Sequence, residues 1–117
     1  MKKDLGLFIN DILESIKRIE EFTKNTSKEK FEKDIKLQDA IMRRIEIIGE
    51  AVKNIPLQFK EKYSNISWNK IAGMKDILTP SYFKVDLDSV WNVIRKDLNR
   101  LKKQIEEVEK NLRNKKY

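Results

Sequence analysis

The sequence predicts an all-α protein, an antiparallel four-helix bundle with an extra short helix. Apolar residues step by three and four along three stretches, no stretch alternates apolar and polar as a strand does, and polar clusters or prolines separate the stretches. Helices with this spacing and short connections pack antiparallel at crossings of roughly 20°. A long coiled coil is the weaker solution to the same pattern.

The first stretch runs through Leu5, Ile9, Ile12, Ile16 and Ile19, with Phe8, Leu13 and Phe22 widening its apolar face. The polar cluster TKNTSKEK ends it. A second stripe follows at Leu37, Ile41, Ile45, Ile48, Val52 and Ile55, and Pro56, which disfavours helical geometry in the preceding residue, should stop that helix near Asn54. Leu57 to Tyr63 forms a short amphipathic piece. Ser67 is the N-cap expected for a helix that begins at Trp68 and must stop or kink at Pro80. The last stretch is the most regular, with Trp91, Ile94, Leu98, Leu101, Ile105, Val108 and Leu112 in alternating steps behind Asp86, a natural N-cap. Gly49 and Gly73 fall inside predicted helices, where glycine costs about 1 kcal/mol against alanine, so each should mark a close helix contact.

The chain of 117 residues suffices for a single domain, residues 1–117, with one core, so a deep site would need a second subunit. Its lack of cysteine excludes disulfides, thiol catalysis and thiolate metal sites. Its lack of histidine removes the commonest metal ligand and general base, and no metal site is expected. Acidic residues at Asp11 and Glu14 come too early for a signal peptide, and no run approaches a membrane span, so a soluble, cytoplasmic protein is expected.

The net charge of +7 favours phosphate-rich partners. The excess gathers late in the chain, where Arg95, Lys96, Arg100, Lys102, Lys103, Lys110, Arg113, Lys115 and Lys116 face only Asp97, Glu106, Glu107 and Glu109. A solvated helix face with a frayed tail accounts for that run equally well. Glu46 and Glu50 lie one helical turn apart and could hold a metal or serve as a general base, or could pair with Arg43 and Arg44 on a solvated face. Trp68 and Trp91 could stack bases, although beside isoleucines at helical spacing they read as core residues. Glycine-rich phosphate loops and nucleophile elbows are missing.

Three ordered blocks carry a resemblance that covers nearly the whole chain: DAIMRRIEIIGEAVKNIP, ISWNKIAGMKDIL and YFKVDLDSVWNVIRKDLNRLKKQIEE. Together they resemble the HepT-like branch of the HEPN family, small helical proteins encoded beside a minimal nucleotidyltransferase. The resemblance implies a homodimeric, metal-independent endoribonuclease without cofactor, acting as the toxin of a toxin-antitoxin module. Two copies of its motif would face one RNA cleft.

In that family the motif reads arginine, a polar residue, three further positions, histidine, any residue and tyrosine. Carried onto this chain, the arginine position falls on Lys75 and the polar position on Asp76. Pro80 stands at the histidine position, Ser81 follows it, and Tyr82 matches the tyrosine. Such cleavage needs a base for the ribose 2′-OH, an acid for the leaving 5′-oxygen and cations around the phosphorane. Histidine supplies the first two because its pKa lies near neutrality. Proline has neither an ionisable group nor a backbone N–H, and an ammonium lacks the bidentate grip of guanidinium on phosphate.

The expected consequence is a weak or inactive ribonuclease. The resemblance also implies that the partner nucleotidyltransferase transfers AMP to Tyr82, although a packing tyrosine reads equally well there. A non-catalytic subunit that docks the nucleotidyltransferase, or a basic RNA-binding dimer, are the alternatives. Phe59, Tyr63 and Phe83 remain open as dimer contacts.

Overall fold

The computed structural model describes residues 2–78 and 86–114, so Thr79, Pro80, Ser81, Tyr82, Phe83, Lys115 and Lys116 lie outside the described residues. The described elements are helical. Long helices α1 (Lys2–Thr23) and α3 (Ile35–Lys53) flank a short α2 (Lys28–Lys33). After them come α4 (Leu57–Lys62) and α5 (Trp68–Ala72), the latter running into a 3₁₀ segment, Gly73–Leu78. The last helix begins as α6 (Leu87–Asn92), widens into a π-helical stretch, Val93–Asp97, and continues as α7 (Leu98–Asn114).

Cross-helix contacts give the directions of the chain. Ser15, midway along α1, accepts a hydrogen bond from Arg44 midway along α3, while Phe8 near the start of α1 faces Ala51 and Asn54 near the end of α3. Glu20 pairs with Lys102 at 2.9 Å and the Thr26 carbonyl accepts from Arg95 at 2.8 Å, so the last helix runs back along α1. The chain from Tyr63 to Lys70 descends the last helix from Asn111 through Gln104 to Asp97. These pairings make an antiparallel helical bundle in which α5 and its 3₁₀ extension form the short fourth member.

One hydrophobic cluster fills the bundle. Ile9, Ile12, Ile16 and Ile19 of α1, Ile41, Ile45, Ile48 and Val52 of α3, and Leu98, Leu101, Ile105 and Val108 of α7 are all buried, as their spacing predicts. Asn54 is the C-cap of α3, and Asp86 caps α6 by accepting from the Ser89 amide at 3.2 Å and its hydroxyl at 2.8 Å. Ser67 occupies the N-cap position of α5 but makes no side-chain cap bond. Trp68 is buried and its indole N–H donates to the carbonyls of Lys60 and Tyr63. Phe59 is a core residue, and Tyr63 packs against it with ring centroids 5.0 Å apart.

The structure departs from the sequence reading in three places. The polar cluster contains a helix, α2, capped by Ser27 and anchored by the fully buried Phe31. Six residues are too few to display a period. In α6 the fully buried residue is Val90, while Trp91 lies half-buried against Phe31 at 5.3 Å, under Arg95 at 4.5 Å. The π-helical stretch carries an extra residue per turn and rotates everything before it, which three-four counting does not anticipate. Gly73, finally, makes no close contact. An added Cβ there would meet only Asp76 Oδ2 at 3.8 Å, and the glycine serves as the C-cap where α5 tightens into the 3₁₀ segment.

Candidate functional site

The 3₁₀ segment is held by its apolar residues. Ile71 and Met74 are buried in the core, and the next residue, Lys75, emerges on the α3 side. There its stem lies on Gly49. A Cβ built at Gly49 would stand 3.3 Å from Lys75 Cβ and 3.4 Å from its Cγ and Cδ, so only a glycine allows this approach without a shift. The close helix contact expected at Gly49 is therefore present.

The Lys75 ammonium ends on the Glu50 carboxylate, with the lysine side chain 27% exposed and the glutamate 57%. The hydrogen bond that the Lys75 ammonium donates to Glu50, together with the Glu50 charge, raises the Lys75 pKa above its ordinary value; the Lys75 hydrogen bond and charge, with Lys53 beyond, lower that of Glu50. Both groups are thus more firmly ionised near neutrality than they would be alone. Glu46 pairs instead with Arg43 at 3.3 Å, and Arg44 turns to Ser15. Of the readings open for Glu46 and Glu50, the structure supports surface pairing, with Lys75 in place of Arg44. Among the described residues no group of three metal-ligating side chains forms.

Beside this pair lies a groove of about 410 Å³ lined by Phe8, Asp11, Arg43, Glu46, Ile47, Glu50, Ala51, Asn54 and Lys75. Three carboxylates and two cations line it, a net charge of −1. An incoming phosphate would therefore compete with Glu50 for Lys75 and with Glu46 for Arg43. Asp76, the other described residue of the motif, is exposed on the outer side of the 3₁₀ segment. Sequence reasoning missed the role of Glu50 because it sought partners on the same helix. The legible signal was Gly49 beside it, marking where another segment comes close.

Residues 12–108 match the family described as ribonuclease HepT-like. A protein of Methanocaldococcus jannaschii, named as a gamma-glutamylcyclotransferase and candidate RNase, is 50% identical over 98% of this chain, which spans only 54% of that protein's length. A probable ribonuclease HepT of Thermococcus cleftensis is 42% identical over 94% of the chain and 100% of its own. A candidate RNase of Caldanaerobacter subterraneus subsp. tengcongensis is 43% identical over 86% of the chain and 90% of its own. No solved structure matches. Among the described residues no helix is long and apolar enough to cross a membrane. On the extent of these matches, the chain belongs to the HepT-like ribonuclease family.

Proposed function

We propose that this chain is the toxin-side component of a nucleotidyltransferase-paired toxin-antitoxin module, a homodimer whose ribonuclease activity is weak or lost. The observation that carries this reading is the state of Lys75. At the position where the family motif has arginine stands a lysine whose ammonium is already engaged by Glu50, in a groove of net negative charge. The chain also has no histidine to act as acid or base, and losing such a group typically costs about 100- to 10,000-fold in rate. Lys75 and Asp76 then mark a degenerate motif at a cleft that cuts RNA weakly or not at all.

A second subunit finds support in the surface around the groove. Leu7 is 59% exposed one helical turn before Asp11, beside the half-buried Phe8, so a partner pressed against this face would cover apolar area. Tyr82 is the proposed acceptor of AMP. Its phenol oxygen would attack the α-phosphorus of ATP, forming a phosphodiester while the bond to the leaving pyrophosphate breaks and the phenolic proton passes to solvent.

The test is mass spectrometry of the protein after incubation with ATP, magnesium and the nucleotidyltransferase encoded beside it, together with an RNA-cleavage assay of the untreated protein. An AMP adduct on Tyr82 with cleavage at background supports the proposal. Cleavage as fast as that of an arginine- and histidine-bearing relative, or lack of an adduct, contradicts it.

A further inference from the structure

The net charge of +7 is not found in the groove beside Lys75, where acids outnumber bases. The last helix, Leu87–Asn114, carries seven cations against five acids, and four of those cations form a crest on its outer side. Lys96, Arg100, Lys103 and Lys110 are all exposed. At 100° per residue Arg100, Lys103 and Lys110 of α7 fall within an arc of about 80°, opposite the buried Leu98, Leu101, Ile105 and Val108, and Lys96 stands on the π-helical turn just before them. At ~1.5 Å per residue Arg100 and Lys110 stand about 15 Å apart along α7.

This crest differs from the other exposed charged faces. Along α1 and just beyond its end, Asp11, Glu14, Lys17, Arg18, Glu21 and Lys24 mix the two signs, and Glu14 binds Arg18 at 2.9 Å. Along the last helix the cations that pair are those off the crest. Lys102 reaches Glu20, and Arg113 lies 4.0 Å from Glu109. Arg95, also off the crest, covers Trp91 and bonds the Thr26 carbonyl. Among the described residues none of the four crest cations makes an ion pair, and Glu107 is the single acid within their arc.

We infer that the crest formed by Lys96, Arg100, Lys103 and Lys110 is a phosphate track that holds the backbone of single-stranded RNA outside the motif groove. Flexible, solvated ammonium and guanidinium groups spaced along a straight helix suit sequence-independent contact with a regularly charged strand. A second copy of the chain would meet this surface with like charge. The inference rests on the RNA-directed reading of the protein and assigns the binding energy to a surface that the motif does not include.

The test is fluorescence anisotropy with a labelled single-stranded RNA of about 20 nucleotides, titrated over a range of salt concentrations. The variant Lys96→Gln/Arg100→Gln/Lys103→Gln/Lys110→Gln is compared with Lys17→Gln/Lys24→Gln/Lys36→Gln/Lys62→Gln. Both remove four exposed charges, and circular dichroism checks that both keep their helices. At about 0.7 per phosphate contact, loss of the crest should reduce the salt slope of log K by roughly 2 to 3. Affinity at low salt should fall at least about tenfold, with the control variant close to wild type. Equal weakening by both variants would mean that net charge alone binds RNA and would overturn the inference, as would a crest variant that binds like wild type. A wild-type protein that binds no RNA would overturn the RNA-directed reading itself, and the crest with it.

Discussion

Lys75 reaches the Glu50 carboxylate by laying its stem along Gly49, where an added Cβ would stand 3.3 Å from Lys75 Cβ, so the motif lysine and the α3 glutamate form one unit packed over a glycine. The unit has a definite pH window. Glu50 titrates below its ordinary value, so its contribution is present above about pH 4.5 and is lost as pH falls through the lowered folded value. Lys75 titrates above its ordinary value, so its contribution is present below about pH 10.5 and is lost as pH rises through the raised folded value. In wild type, Lys75 should hold its proton to higher pH than in Glu50→Gln. NMR titration of the Lys75 side chain in both proteins measures this, and identical curves would show that the pair does not form in solution.

Replacing Gly49 separates the two partners. Gly49→Leu forces bulk against the Lys75 stem and should cost about 1–3 kcal/mol as overpacking. Urea denaturation checks the magnitude. The Lys75 titration of the same variant should move toward that of Glu50→Gln, and an unchanged titration would show that Gly49 does not govern the pair.

Phe31 ties the short α2 to the last helix through Trp91. Phe31→Ala should cost about 3–5 kcal/mol, the usual price of emptying a fully buried aromatic site. Thermal denaturation should show a Tm lowered by roughly 10–20 °C. A shift of only a degree or two would mean that α2 does not pack as described.

The pH dependence of any residual cleavage carries a further prediction. With no histidine in the chain and Lys75 ionised throughout the neutral range, the rate should show no ionisation near pH ~6.5. Pro80→His should introduce one. A wild-type inflection there would require a base other than those considered.

Much of the bundle was legible because buried stripes repeat. Ile9, Ile12, Ile16 and Ile19, and likewise Leu98, Leu101, Ile105 and Val108, are buried where their spacing put them. Helix ends were legible where one residue fixes them, Pro56 behind the C-cap Asn54 and Asp86 at the start of α6. The short α2 escaped notice because its tertiary anchor is a single phenylalanine, and Trp91 was misplaced because a π-helical turn breaks the count. At the site, Lys75 was legible from the motif but Glu50 was not, since their pairing spans 25 positions of sequence and is set by how α3 meets the 3₁₀ segment. Pro80 and Tyr82 lie outside the described residues, so their part in the site rests on the sequence.

On the proposed function, the residues at positions 75 and 80 hold back the chemistry of a ribonuclease family. The most direct measurement is the single-turnover RNA-cleavage rate of wild type beside Lys75→Arg/Pro80→His, which restores the guanidinium and the acid/base. Wild type should stay at background and the double variant should gain at least about 100-fold. Wild-type cleavage already matching that of the double variant, or of the Thermococcus cleftensis relative, would contradict it.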